Sequence, residues 1–136
     1  MPAVLVDAGP LVALIEPTDR HHARTIAALK TLSGPLLTVW PAFTEAMYLL
    51  RDSDRSQQAL WDVIASGAID YAPLGADDVE RMRQLMRDYR DQPMDLADAA
   101  LVRVAERDDI PRIFTLDRRH FEVYRLNRRR RFLIVP

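Results

Sequence analysis

Three short apolar runs, Ala3 to Val6, Leu36 to Val39 and Ile113 to Leu116, most narrowly limit the fold of this chain. Each is too short for a helix and shows no sustained apolar–polar alternation, so each is expected as a buried strand. The intervening sequence repeats apolar positions at roughly helical spacing. Strands alternating with helices imply an α/β fold in which a mostly parallel central sheet is covered on both faces. At 136 residues the chain is expected to form one domain over 1–136, long enough to bury about two thirds of its unfolded surface.

Punctuation divides the rest. A short helix is expected after Gly9-Pro10 and through Glu16, where Pro17 interrupts it, and another over His22 to Leu32, closed by Ser33-Gly34-Pro35. Pro41 suits the first residue of a helix running to about Arg51. A helix over 54–66 stops at Gly67, and Ala68 to Tyr71 reads as an edge strand before Pro73. Asp77 or Asp78 is expected to begin a helix reaching Tyr89 or Arg90, followed by one over 95–107 and, after Ile113 to Leu116, a last strand at Phe132 to Val135.

Two of the apolar runs end on acids, Asp7 and Asp117. Glu45 falls one turn inside a helix, and Asp98 three residues after Asp95 at the start of another. Singly, these have ordinary explanations. Asp7 before Ala-Gly-Pro suits a turn or cap; Glu45 suits a solvated helix position; Asp95 suits an N-cap with Asp98 in its first turn; Asp117 suits a cap or surface ion pair. Together they gain weight, because side chains at the carboxyl ends of parallel strands converge on the crevice where open α/β sheets bind ligands. Clustered carboxylates repel unless a cation lies among them, and hard divalent ions prefer oxygen donors.

Composition narrows the classes. With no cysteine, thiolate metal sites and disulfides are excluded, and no apolar run approaches a membrane span. A cytosolic location is expected, with no leader at the N-terminus. The net charge of −1 hides an uneven distribution: residues 112–131 hold eight arginines against Asp117 and Glu122, a net of +6, which leaves −7 elsewhere. An acidic site beside a basic surface suits an anionic polymer, although a run such as Arg128 to Arg131 is also a common solvated feature. A receiver domain needs paired acids near its first strand and a late lysine, but Lys30 is the sole lysine. A haloacid-dehalogenase-type phosphatase needs an acid two residues after Asp7, where Gly9 stands. Walker, dinucleotide-binding and His-Glu-x-x-His patterns are missing.

Four segments in order, Val4-Leu-Val-Asp7-Ala-Gly-Pro-Leu-Val-Ala-Leu14, Leu36-Leu-Thr-Val-Trp-Pro-Ala-Phe-Thr-Glu45-Ala, Pro93-Met-Asp-Leu-Ala-Asp98-Ala-Ala-Leu-Val-Arg-Val-Ala-Glu106 and Phe114-Thr-Leu-Asp117-Arg-Arg-His-Phe121, resemble the PIN-domain ribonucleases, specifically the toxin half of VapBC-type toxin–antitoxin pairs. The resemblance implies a PIN-like three-layer α/β/α sandwich and an Mg²⁺- or Mn²⁺-dependent endoribonuclease. Asp7, Glu45, Asp98 and Asp117 match the metal-binding acids, Asp95 a supporting acid and Thr115 a hydroxyl near the site. His120 stands where many relatives have Asp. Arg118 and Arg119 are candidates for guiding phosphate, since guanidinium offers paired donors, with surface ion pairing as their ordinary role. Trp40, Tyr48, Trp61, Phe114 and Phe121 are read as core or interface aromatics, not base-stacking platforms.

The resemblance also implies an RNA substrate, a cognate VapB-type antitoxin and a homodimer. Leu11, Leu14, Ile15, Met47, Leu50 and Trp61 are expected to line an apolar groove for the antitoxin. The alternative is a catalytically weak PIN-like module that binds RNA or protein.

Overall fold

The computed structural model describes residues 2–136. In chain order its elements are β1 (Val4–Val6), α1 (Ala8–Ile15), α2 (His22–Leu29), β2 (Leu36–Thr38), α3 (Trp40–Leu49), α4 (Asp54–Ala65), β3 (Asp70–Tyr71), α5 (Ala76–Asp88), α6 (Leu96–Asp108), β4 (Arg112–Phe114), α7 (Arg118–Val123), β5 (Arg125–Leu126), β6 (Arg130–Arg131) and β7 (Leu133–Val135). Five strands form one sheet in the order β3-β2-β1-β4-β7, and every neighbouring pair is parallel. β5 and β6 make a separate antiparallel hairpin.

The chain moves outward from β1 through β2 to β3, then returns on the other side of β1 as β4. That reversal opens a crevice at the carboxyl ends of β1 and β4, the ligand position of open α/β sheets. Side-chain alternation divides the core between the two faces. Leu5 and Ile113 pack in the cluster that holds α6 and Leu85 of α5, whereas Val4, Val6 and Phe114 pack with Leu11, Phe43 and Leu60 from α1, α3 and α4.

Helix α6 is the most deeply embedded of the helices. Ala97, Ala99, Ala100, Leu101, Val102, Val104 and Ala105 are buried, and its alanines allow close approach while Leu101 contributes about 1.5–3 kcal/mol by burial. Asp95 caps its first turn, accepting the Asp98 N–H at 2.9 Å. This fixes the rotational setting of the helix and therefore the direction of Asp98.

Several sequence expectations shift. Helix α1 begins at Ala8, before Gly9-Pro10, because the Asp7 side chain caps it and the missing N–H of Pro10 falls among first-turn groups that need no intrahelical acceptor. Helix α2 ends at Leu29 instead of Leu32; the Thr31 hydroxyl donates to the Ala28 carbonyl just beyond that end. Helix α5 begins at Ala76, with the Asp78 carboxylate reaching back to the Gly75 N–H at 2.8 Å. Helix α7 and the β5–β6 hairpin were not expected. Among the described residues no helix is long and apolar enough to cross a membrane.

Candidate active site

At the end of β1, Asp7 turns inward with only 4% of its surface exposed. One carboxylate oxygen accepts the Ala8 N–H at 2.8 Å and the other accepts the Thr115 hydroxyl at 2.9 Å. Thr115 also accepts the Asp117 N–H at 3.0 Å, so its single hydroxyl joins the ends of the two central strands. Its one proton is directed at Asp7. Burial raises the Asp7 pKa to about 6, against those two hydrogen bonds and with help from the charges of Asp117 and Asp95.

Asp98 enters the same crevice from the first turn of α6, buried to 6% exposure. Its Oδ2 accepts the Tyr124 hydroxyl at 2.7 Å, and Nδ1 of His120 lies 3.7 Å from that oxygen. Burial pushes the Asp98 carboxyl up to about 8; the Tyr124 bond pulls the other way, while Asp7, Asp95 and Asp117 add repulsion. Burial and Asp98 together push the Tyr124 phenol well above its ordinary range, so Tyr124 remains a donor.

Glu45 faces the crevice from α3. Its carboxyl is shifted upward by partial burial and then by Asp95, Asp7 and Asp117. Asp117 is the N-cap residue of α7, but its side chain makes no capping hydrogen bond. Thus Asp7, Asp95 and Asp117 lie within electrostatic range of both Asp98 and Glu45. Among the described residues, however, no three of these side chains close into a group that would hold an ion as they stand. Their donor chemistry, all carboxylate oxygen, fits a hard divalent cation, and such a charge would relieve the repulsion that lifts Asp7 and Asp98.

The PIN domain family model matches residues 4–126. The chain belongs to the PIN-domain family. Ribonuclease VapC26 of Mycobacterium tuberculosis is 30% identical over 135 residues, covering 98% of this chain and 100% of that protein, which puts this PIN domain with the VapC proteins. Among solved structures, the sarcin-ricin loop cleaving toxin VapC20 of Mycobacterium tuberculosis superposes with a TM-score of 0.74 at 17% identity, covering 81% of this chain and 86% of that one. A toxin–antitoxin complex from Klebsiella pneumoniae gives 0.68 at 18% identity, with coverage of 88% and 91%. These two likenesses agree with the parallel sheet and α/β/α layering read from the sequence.

The rim of the PIN-domain crevice is partly basic. Leu116, Asp117, Arg118, Arg119, His120 and Glu122 line one depression. Arg118 is occupied by Glu122 at 3.1 Å and by the Pro136 carbonyl at 3.1 Å, whereas Arg119 is exposed and has no carboxylate partner among the described residues. On another side, Trp40, Pro41, Thr44, Tyr48, Leu96 and Ala97 form an apolar groove that ends at Glu45 and Asp95.

The expected apolar groove needs correction. Leu11 and Leu50 belong to the core, not to a groove; Leu14 and Ile15 instead line a depression with Leu29, Leu36 and Val63. Trp61 packs against Phe43 with ring centroids 4.7 Å apart and remains 46% exposed. The basic run Arg128 to Arg131 lies on the turn and second strand of the hairpin that follows Tyr124. Tyr124 is the site residue that the sequence reading missed. It lies 26 residues from Asp98, and no local pattern separates it from any other core aromatic.

Proposed function

We propose that this PIN domain is a metal-dependent endoribonuclease toxin that hydrolyses RNA phosphodiester bonds, with Asp7, Glu45, Asp98 and Asp117 as its metal-binding acids and Asp95 in support. The observation carrying the reading is the uncompensated burial of Asp7 and Asp98 beside the other acids at the β1/β4 switch point. The similarity to Ribonuclease VapC26 supports the reaction class. When bound, Mg²⁺ or Mn²⁺ would supply Lewis-acid polarisation of the phosphodiester and acidify an attacking water.

The protein's share is positioning. Ala8 and Thr115 hold both oxygens of Asp7, and Tyr124 holds Asp98, so the two most buried ligands are set before substrate arrives. This gives Thr115 a positioning role, because its hydroxyl is buried and committed to Asp7. Arg119, exposed at the rim, is the better placed of the two neighbouring arginines to take a phosphate; Arg118 must first loosen its pair with Glu122.

For the partner, we propose a VapB-type antitoxin segment lying in the groove of Trp40, Tyr48 and Leu96, where a basic side chain can reach Glu45 and Asp95. The Klebsiella toxin–antitoxin complex supports such a pairing. A homodimer is proposed on the exposed Leu49 of α3 and Trp61 of α4; a monodisperse monomer in solution scattering at working concentration would count against it. A cytoplasmic location is proposed with this reading, on the likeness to Ribonuclease VapC26.

The deciding experiment is incubation of cellular RNA with the purified chain and with Asp98→Asn, in Mg²⁺, Mn²⁺ or chelator, with mapping of fragment ends. Metal-dependent cleavage lost in the variant is the expected result. No cleavage by folded parent protein, or undiminished cleavage by Asp98→Asn, would reject the assignment and favour a binding module.

A further inference from the structure

The β5–β6 hairpin carries a cationic surface that the crevice does not account for. Its first strand follows Tyr124, beside Asp98. At its turn the Asn127 N–H donates to the Glu106 carboxylate. Asp98 and Glu106 are eight positions apart in α6, about 12 Å at ~1.5 Å per residue. The hairpin therefore runs from the acids toward the other end of the helix.

Its turn is built for the side chains it displays. Asn127 has φ 51° and Arg128 φ 66°, and the Arg129 N–H donates to the Leu126 carbonyl at 3.0 Å. Two consecutive left-handed residues are the mark of a type I′ turn, in which glycine is favoured at the position held by Arg128. A residue with a Cβ costs about 1 kcal/mol there, so an arginine is not explained by turn formation. The base is rigid: Glu106, with a side chain only 3% exposed, receives Arg81 through two N–H donors at 2.9 Å each.

Arg128 to Arg131 are all exposed. Arg130 pairs with Asp109, and Arg128 lies 3.8 Å from Asp88; Arg129 and Arg131 have no carboxylate partner among the described residues. Arg131 lines a depression with Arg118, Glu122 and Phe132. That depression shares Arg118 and Glu122 with the one that contains Asp117 and Arg119. The carboxylate common to both, Glu122, is paired with Arg118. A continuous, largely cationic path thus joins the crevice to the hairpin.

We infer that this path is a track for single-stranded RNA, on which Arg131 and Arg129 hold backbone phosphates of the strand flanking the cleaved bond. The inference rests on the ribonuclease reading and adds to it where the substrate runs. Because the contacts are to phosphate, they act on affinity without base preference. At ~3.4 Å per stacked nucleotide, ~12 Å corresponds to about four nucleotides beyond the site, so shorter flanks do not reach Arg129 at the turn, while Arg131, opposite Arg125 at the hairpin base, lies nearer.

The test uses the full chain carrying Arg129→Ala and Arg131→Ala together, and the same pair as Lys. RNA binding is measured against salt in an Asp98→Asn background, and cleavage kinetics in the active background with RNAs of long and short flanks. Loss of two phosphate contacts should weaken long-RNA binding about tenfold at ~0.1 M salt and flatten the log–log salt slope by roughly 1.4. KM should rise with kcat unchanged, short-flank RNA should be affected less than long RNA because it reaches only Arg131, and the Lys pair should restore binding. Unchanged affinity and slope with the Ala pair would overturn the track and redirect the hairpin toward an acidic protein partner. An equal effect on short-flank RNA would overturn it too. If the parent protein binds RNA with an arginine-dependent slope but cleaves none, the track stands and the nuclease reading fails.

Discussion

Helix α6 is acidic at both ends, and the two ends treat their acids in opposite ways. Near its C-terminal end, Asp78 from α5 is 4% exposed and accepts Arg103 at 2.7 Å and Arg107 at 3.1 Å, while Glu106 takes Arg81. The Gly75 N–H and Arg103, followed by Arg107, outweigh burial and lower Asp78 to about 2. At the N-terminal end Asp98 has similar exposure, yet its hydrogen-bonding partner is the neutral Tyr124 and its pKa rises to about 8. Burial alone therefore does not distinguish them. The difference lies in compensation: arginines complete one acid as structure, whereas the other keeps an unmet demand for positive charge, the physical condition that marks a site.

The comparison is broken most directly at the unmet end. Asp7→Asn and Asp98→Asn should each lower RNA cleavage by more than the ~10²-fold upper range for losing a partner that merely supports a metal ligand. Fold retention is checked by circular dichroism. Mg²⁺ should raise the melting temperature of the parent more than that of either variant, because binding to the native state alone adds stability by mass action. Equal metal-induced shifts in all three proteins would mean that these carboxylates are not the ligands.

At the compensated end the expected loss is of stability instead of chemistry. Asp78→Ala removes the partner of Arg103 and Arg107 and the acceptor of the Gly75 N–H. The cost should be about 2–4 kcal/mol by denaturant unfolding, below the upper end for a fully enclosed pair because both arginines reach solvent. Since the folded pKa is about 2 against an ordinary 3.8, the Asp78 contribution is complete above about pH 4 and fades as pH falls through about 2. The gap between parent and variant should shrink over that window. A gap constant across it would remove the ionic explanation.

How much of this contrast could be read in the sequence depends on the range of the interaction. Asp7 and Asp117 were legible because each terminates an apolar strand, and Asp95 with Asp98 because an N-cap and a first-turn acid follow from local spacing. The partnership of Asp78 with Arg103 and Arg107 was not, since it depends on how α5 and α6 pack across 25 and 29 residues. Helix α7 escaped because six residues, Arg-Arg-His-Phe-Glu-Val, are too few to establish a period. The hairpin escaped because its strands are two residues long and its turn reads Asn-Arg where Asn-Gly would be the signal. In α1 nearly every side chain is apolar, so the buried Leu11 could not be told from the more accessible Leu14 and Ile15.

A smaller effect sharpens the comparison through its sign. In chelator, Asp98→Asn should be more stable than the parent by on the order of 1–2 kcal/mol near pH 8, after allowance for relaxation and water entry. With a folded pKa of about 8 against 3.8, the parent carboxyl is neutral in both states below about pH 4 and incurs no penalty. As pH rises the unfolded chain ionises first, so folding must take up a proton; the penalty grows to about pH 8 and then levels. The advantage of Asp98→Asn should follow that rise, opposite to the Asp78→Ala loss, which is established at low pH and flat thereafter. Melting temperatures of the three proteins from pH 4 to 9 check this, and an Asp98→Asn advantage that does not grow with pH would reject the unmet-charge account.

The smallest expected effect is also the most specific. Tyr124→Phe deletes one hydroxyl in a fully buried ring that keeps its packing against Tyr89 and Phe121. The lost hydrogen bond should cost about 1.5 kcal/mol when Asp98 is ionised. In chelator near pH 5, where the Asp98 carboxyl holds its own proton, the cost should be less, because a bond to an ionised acceptor is roughly twice as strong as one to a neutral acceptor. The same substitution raises the Asp98 pKa further, since the hydrogen bond that lowers it is gone. More Mg²⁺ should then be needed for half-maximal cleavage, with the maximal rate changed less. A Tyr124→Phe protein with parental metal dependence and a pH-independent stability loss would reduce Tyr124 to a packing residue, leaving Asp98 to be oriented by Asp95 and its helix alone.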